Sequence, residues 1–387
     1  MPVDRRKWVP PIVFLAVSVL FFWGLSQWMA GVWKFDFFVT GGDVFTYWQE
    51  SLTWGYPFHP HHPPGYPWLI GVVRAAAGSR LEPLAVMQSL TFVFLLGGAY
   101  RMTVLCRREG IAHHGWTMAV LYIAWPFVGS LYAVYPQIDA IILFLLILGI
   151  LLAMDGRWIA SGAVWGAATL AHPLAWIFVP ILLPVPWAVW IWENKKAPAA
   201  SRSIDAKRLL AMTTAAAAPL AALWIWETVV TKDPLWALAS ILNAQVVSRG
   251  SFPFLDGWIG TVAGNGISGW MKVGILSLVV LAALYLLAST LRKRTAAETG
   301  QVLYREIVSL LIPAGILVMA VLLNQHEIWA VVRFSKILLL PLILQRDRLF
   351  GFIPRRLRAP ALYGLIGLGI VTQVVYAWYM ATVFFPA

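Results

Sequence analysis

Apolar runs of about 20 residues, the length of helix that crosses a hydrocarbon core, recur from Val9 to the last residues of this chain. Clusters of arginine and lysine separate them. Of the 387 residues, 60% are hydrophobic and 12% charged, with a mean hydropathy of +0.75. A soluble domain carries about 25% charged residues, so the expectation is an all-α polytopic membrane protein. No stretch between the runs is long enough for a separate soluble domain, which leaves one membrane domain over residues 1–387. The net charge of +12 does not indicate nucleic acid, because the bases fall between apolar runs as in cytoplasmic loops. Cys106 is the single cysteine, which excludes an intramolecular disulfide and a cysteine-based metal cluster.

Basic residues set the predicted topology. Arg5, Arg6 and Lys7 precede an apolar run from Val9 to about Ala30, too long for a signal peptide and read as a retained first span with the N-terminus inside. Residues 31–83 then form a first external loop, within which Tyr66 to Ala77 is apolar but short and suits an interfacial or re-entrant segment. Further spans are expected at about Leu84 to Leu105, Trp116 to Tyr132 and Ile138 to Met154. Ile159 to Trp192 is over thirty residues long and is interrupted at His172-Pro173, where proline breaks a helix. Splitting it into one helix out and one back keeps Lys195, Lys196, Arg202, Lys207 and Arg208 inside. Spans at about Leu209 to Val230, Val273 to Leu291, Ile307 to Leu323, Ala330 to Leu344 and Ala361 to Phe384 complete about eleven, with a second external loop at 231–270 and the C-terminus outside. Twenty bases then lie inside, eight outside or embedded, and Arg101 near the inner end of its helix, an asymmetry that supports a cytoplasmic N-terminus.

The segment from Thr40 to Leu69, TGGDVFTYWQESLTWGYPFHPHHPPGYPWL, concentrates two acids, three histidines and five prolines. Asp43 and Tyr47 are four residues apart, which stacks them on one face of a helix. After two glycines the aspartate suits a helix N-cap, a role that excludes a functional one only if backbone amides use the whole carboxylate. His59, His61 and His62 stand in a proline-rich run that lacks the spacing of a metal site. They fit either a stiff structural loop or the wall of a polar-ligand site. Gln137 and Asp139 follow Pro136 at the mouth of a span, where an acid also compensates the helix dipole. Arg333 and Lys336 interrupt a late apolar run, and both snorkelling and a phosphate site accommodate them. The topology gathers Asp43, the histidine loop, Asp139, His172, His326 and Arg333 on one side of the membrane, and polar residues at membrane depth are functional candidates by default.

These features resemble the GT-C superfamily, the multi-span glycosyltransferases that take polyprenyl-phosphate sugars as donors. The resemblance rests on Asp43 in D-x-x-x-Y, on HHPPGYPWL at His61 to Leu69, and on LYAVYPQIDAIILFLLILGILLAM followed by DGRW and ASGAVWGAATLAHPLAWIFVPILL. The late VVRFSKILLLPLIL resembles the arginine-to-proline segment near the end of several members. Among subfamilies the chain resembles bacterial relatives of the PIG-V-like mannosyltransferases, with Gly42-Asp43 where those carry a W-D pair.

The resemblance implies an inverting transfer of one sugar, mannose in that subfamily, from a polyprenyl-phosphate donor to a lipid or glycan acceptor of the cell envelope. It implies Asp43 as general base, with Arg333, Lys336 and His172 meeting the donor phosphate. Tyr47, His59, His61, His62, Gln137, Asp139 and His326 would hold the sugar or acceptor. The expected partners are donor, acceptor and membrane lipids, with no nucleic acid. The residues require no cofactor, although some members use a divalent metal. The expected location is the plasma (inner) membrane, with the active site on its non-cytoplasmic face. A secondary transporter or lipid flippase would also account for intramembrane charges and a broken helix, but leaves the first external loop without a task. A non-catalytic partner in an envelope assembly would need Asp43 to be a cap alone.

Overall fold

The computed structural model describes residues 16, 20, 43–54, 63–78, 83–111, 114–125, 138–172, 175–196, 205–232, 300–322, 335–345 and 354–379. Among these every regular element is helical and none is a strand. The helices are α1 (Asp43–Leu52), α2 (Gly65–Ala77), α3 (Pro83–Arg108), α4 (Gly115–Ile123), α5 (Asp139–Met154) and α6 (Trp158–Ala171). They continue with α7 (Ala175–Leu182), α8 (Pro184–Lys196), α9 (Ala206–Thr231), α10 (Gly300–Leu322), a 3-10 turn (Ser335–Leu338), α11 (Leu339–Leu344) and α12 (Arg355–Tyr379). Three stretches, Val86–Arg108, Ala206–Val230 and Arg356–Val375, are helices long and apolar enough to cross a membrane. The span expected from Val273 to Leu291, and all but residues 16 and 20 of that expected from Val9 to Ala30, lie outside the described residues.

The chain separates into two compact units, one within residues 1–49, 72–140 and 347–387, the other within 50–71 and 141–346. In the first, α3 and α4 form an antiparallel hairpin. The turn between them is specified locally: Gly110 takes φ 71°, its N–H bonds the Arg107 carbonyl at 3.2 Å, and the Ile111 N–H bonds the Cys106 carbonyl at 2.8 Å. This pair of bonds is a Schellman closure, for which glycine supplies the left-handed residue. Further along the hairpin Gly98 has no side chain to obstruct the buried Tyr122 ring. α12 packs on α4 through a narrow stripe, and Leu362, Gly369 and Gln373 are its only buried residues among those described. Its other apolar side chains, from Leu365 to Val375, are largely exposed, as on a helix bathed in lipid. Gln373 donates both amide hydrogens from that stripe, to the carbonyls of Ile123 (3.1 Å) and Trp125 (2.9 Å), where the α4 ladder runs out.

The second unit is built around α6 and α9. Gly162 lies against the Met212 carbonyl, and Gly166, four residues on, lies against the carbonyls of Ala215 and Ala216. The two helices therefore run parallel, joined by a small-xxx-small contact that lets their backbones approach closely. Pro219 lacks the N–H that would bond Ala215, and its ring also faces Gly166. On its other side α6 folds back on α5, with the Ser161 hydroxyl donating to the Gly149 carbonyl at 2.7 Å and the Trp165 indole across Gly149.

α6 ends at Ala171, and His172 is extended at φ −159°, ψ 144°, as the residue before a proline prefers. A helix ending here and a parallel α6–α9 pair are what the split of Ile159 to Trp192 requires. The returning segment is itself stepped, since α7 stops at Leu182 and α8 starts at Pro184. α10 lies antiparallel along α7 and α8, with Gly315 against Phe178 and Gly300 against Glu193. There the buried Glu193 carboxylate accepts the Gly300 N–H at 3.0 Å and caps α10 from 107 residues away.

Gly162→Val would drive a branched side chain into the Met212 backbone, which cannot give way as a flexible side chain does. The expected cost is about 1–3 kcal/mol, read as a lower thermal midpoint in detergent. Gly367→Ala on α12, where an added Cβ meets nothing within 4 Å, should leave the midpoint unchanged or raise it.

Candidate functional site

Asp43 is the first residue of α1, and Tyr47, one turn later, is buried. In the same unit the Arg74 guanidinium on α2 sits over the Trp48 ring, 4.7 Å from its centroid. A cation on an indole face is attracted by the ring quadrupole, so the contact ties α1 to α2. Asp139 opens α5 as a buried carboxylate, 1% exposed.

Within the second unit three chain segments meet where α6 ends. Gly65, the first residue of α2, rests against the Leu170 carbonyl, two residues before His172. The His172 backbone joins two helices: its N–H bonds Ala168 at 3.1 Å and its carbonyl accepts from Ala175 at 3.1 Å, while its side chain is half-buried. Trp68, one turn into α2, donates its indole N–H to the Trp54 carbonyl at 2.6 Å, and its ring lies 6.3 Å from that of Trp226 on α9. The end of the proline-rich loop, the His172 break and the last turns of α9 are thus held together.

Lys336 is in the 3-10 turn, which packs on α10 and α11, and is 0% exposed. Its neighbours Ile337, Leu339 and Leu340 are buried too. Snorkelling requires the ammonium to reach water, and this side chain does not. Lys336 is therefore a packed residue of this turn and not a cation at a lipid–water interface.

His59, His61, His62, Gln137, His326 and Arg333 lie outside the described residues. Among the described residues no three histidine, cysteine or carboxylate side chains cluster as a metal site. Sequence reasoning missed Glu227, a buried carboxylate adjoining Trp226. The signal was there, because Glu227 is an acid near the end of an otherwise apolar stretch, LAALWIWETVV. Comparisons with protein families, with curated proteins and with solved structures gave no match.

Trp68→Phe keeps an aromatic ring but removes the bond to Trp54, a loss of about 1 kcal/mol. Amide hydrogen exchange in residues 50–54 and 65–71 should quicken by several-fold, while exchange in α3 stays as it was.

Proposed function

We propose that this chain is an inverting glycosyltransferase of GT-C type. It moves a monosaccharide, mannose on the resemblance, from a polyprenyl-phosphate donor to a lipid-linked or envelope glycan acceptor. The reaction is placed on the non-cytoplasmic face of the plasma (inner) membrane, in a chain of about eleven spans with its N-terminus inside and C-terminus outside. The observation that carries this reading is the D-x-x-x-Y pair standing on a helix, with Asp43 its first residue and Tyr47 buried one turn on.

The chemistry assigns each group a task. The Asp43 carboxylate takes the proton of the acceptor hydroxyl as its oxygen bonds to the anomeric carbon. The bond from that carbon to the phosphate oxygen breaks on the opposite face, which inverts the centre. The departing phosphate is already anionic and needs cations rather than an acid. Arg333, with Lys336 and His172, fills that role, because a guanidinium fork matches phosphate oxygens in pairs. Gln137, Asp139, Tyr47, His59, His61, His62 and His326 are left to orient sugar and acceptor hydroxyls.

The test is turnover by the purified protein in lipid, offered a panel of polyprenyl-phosphate sugars with a membrane lipid extract as acceptor source. Wild type should consume one donor. Asp43→Asn should fall by at least about 100-fold, the lower end of what a positioned general base supplies, with its thermal midpoint unchanged. Arg333→Ala should raise the KM for donor more than that for acceptor. Full activity in folded Asp43→Asn would remove the base from Asp43. No turnover of any donor by folded wild type would favour the transporter reading.

A further inference from the structure

Trp54 occupies a backbone conformation that tryptophan avoids. Its φ of 56° is left-handed, and besides Lys232 it is the only non-glycine among the described residues with positive φ. It stands just past the end of α1, where glycine normally makes this turn without steric cost. A bulky residue there is held by its surroundings, and the restraints are visible. The Trp68 indole N–H fixes the Trp54 carbonyl at 2.6 Å. One side of the Trp54 ring lies on Gly71, where an added Cβ would come within 3.2 Å of two ring carbons. The residue is nevertheless 49% exposed, and Trp226, beside Trp68, is 36% exposed. The outcome is an indole whose position is set by its neighbours and much of whose surface is open.

We infer that Trp54, seated on Gly71 and fixed by Trp68, is a stacking platform for a pyranose ring. The C–H bonds on one face of a pyranose are weakly positive and apolar, and they suit the negative face of an indole. Stacking also removes apolar surface from water on both partners. Interfacial anchoring in lipid is the competing use of an exposed tryptophan. An anchor in a fluid interface needs no particular ring orientation, so it gives no reason to hold tryptophan at φ 56°. Nor is the Trp68 N–H turned to lipid headgroups, because it is committed to a backbone carbonyl. The inference rests on the transferase reading for its role, with the bound sugar belonging to donor or acceptor, but its test does not require turnover.

Saturation-transfer NMR on the full chain in deuterated detergent would use methyl α-mannopyranoside, methyl α-glucopyranoside and methyl α-galactopyranoside as probes. Wild type should saturate the ring protons of at least one. Trp54→Gly removes the ring at a φ that glycine adopts freely, so its thermal midpoint should hold or rise. Its saccharide signal should fall at least about fivefold, as when an aromatic stacking partner is lost. Trp54→Phe should retain part of the signal, and Trp378→Ala, an exposed tryptophan on α12, all of it. No signal from wild type, or an equal signal from folded Trp54→Gly, overturns the platform, the second result in favour of lipid anchoring. Trp54-dependent signal without transfer by wild type would retain the platform and sink the transferase reading; transfer with Trp54-independent signal would do the reverse. Where transfer occurs, a higher acceptor KM in Trp54→Gly assigns the platform to the acceptor sugar, and a higher donor KM to the donor sugar.

Discussion

A peptide group in hydrocarbon has no water to bond, so each N–H and C=O must be answered from within the protein. Inside a helix the ladder does this automatically. At the ends it stops, leaving up to four donors or acceptors, and the chain meets that demand in two ways. Near polar turns the solution is local: glycine at 110 and 156 closes the ends of α3 and α5, the second through bonds from Gly156 to Ala153 and from Arg157 to Leu152. Elsewhere a distant side chain does it, as Gln373 does for α4 and Glu193 for α10. Buried hydroxyls follow the same rule, since Thr91, Thr103 and Thr169 donate to carbonyls of their own helices.

Close packing imposes a second demand, which small residues satisfy. Lipid is as apolar as leucine, so helices in a membrane gain little from hiding apolar surface and gain more from close contact. Gly162 and Gly166 meeting the alanine-rich face of α9, Gly149 beneath Trp165 and Gly315 beside Phe178 are instances. The contacts also position the candidate site. α6 is held on both sides, by α5 and by α9, so the His172 break at its end has a fixed position from which Gly65 and the Trp54–Trp68–Trp226 group are built.

Much of this was legible in the sequence because its causes are local. The apolar runs, the helix stop before Pro173 and the D-G-R turn at Asp155 each act within a few residues. The short helix over Gly65–Ala77 was legible from an apolar stretch too brief to span. What sequence did not disclose depends on distant contacts: which carbonyls Gln373 would serve, which N–H Glu193 would cap, and that Lys336 would be enclosed rather than extended to an interface. Glu227 was legible and overlooked, since an acid near the end of an apolar span can look like part of the following loop. The twist at Trp54 could not be inferred, because tryptophan has no local tendency toward positive φ.

The bond from Gln373 to the end of α4 also bears on biogenesis. The carbonyl of Ile123 is synthesised 250 residues before the amide that binds it. At about 5–20 residues per second, that interval is roughly 12–50 s. Throughout it the end of α4 is complete in sequence but lacks one of its partners. A helix made some 250 residues later is therefore the one that completes the end of α4, and loss of α12 would be felt at Ile123 and Trp125.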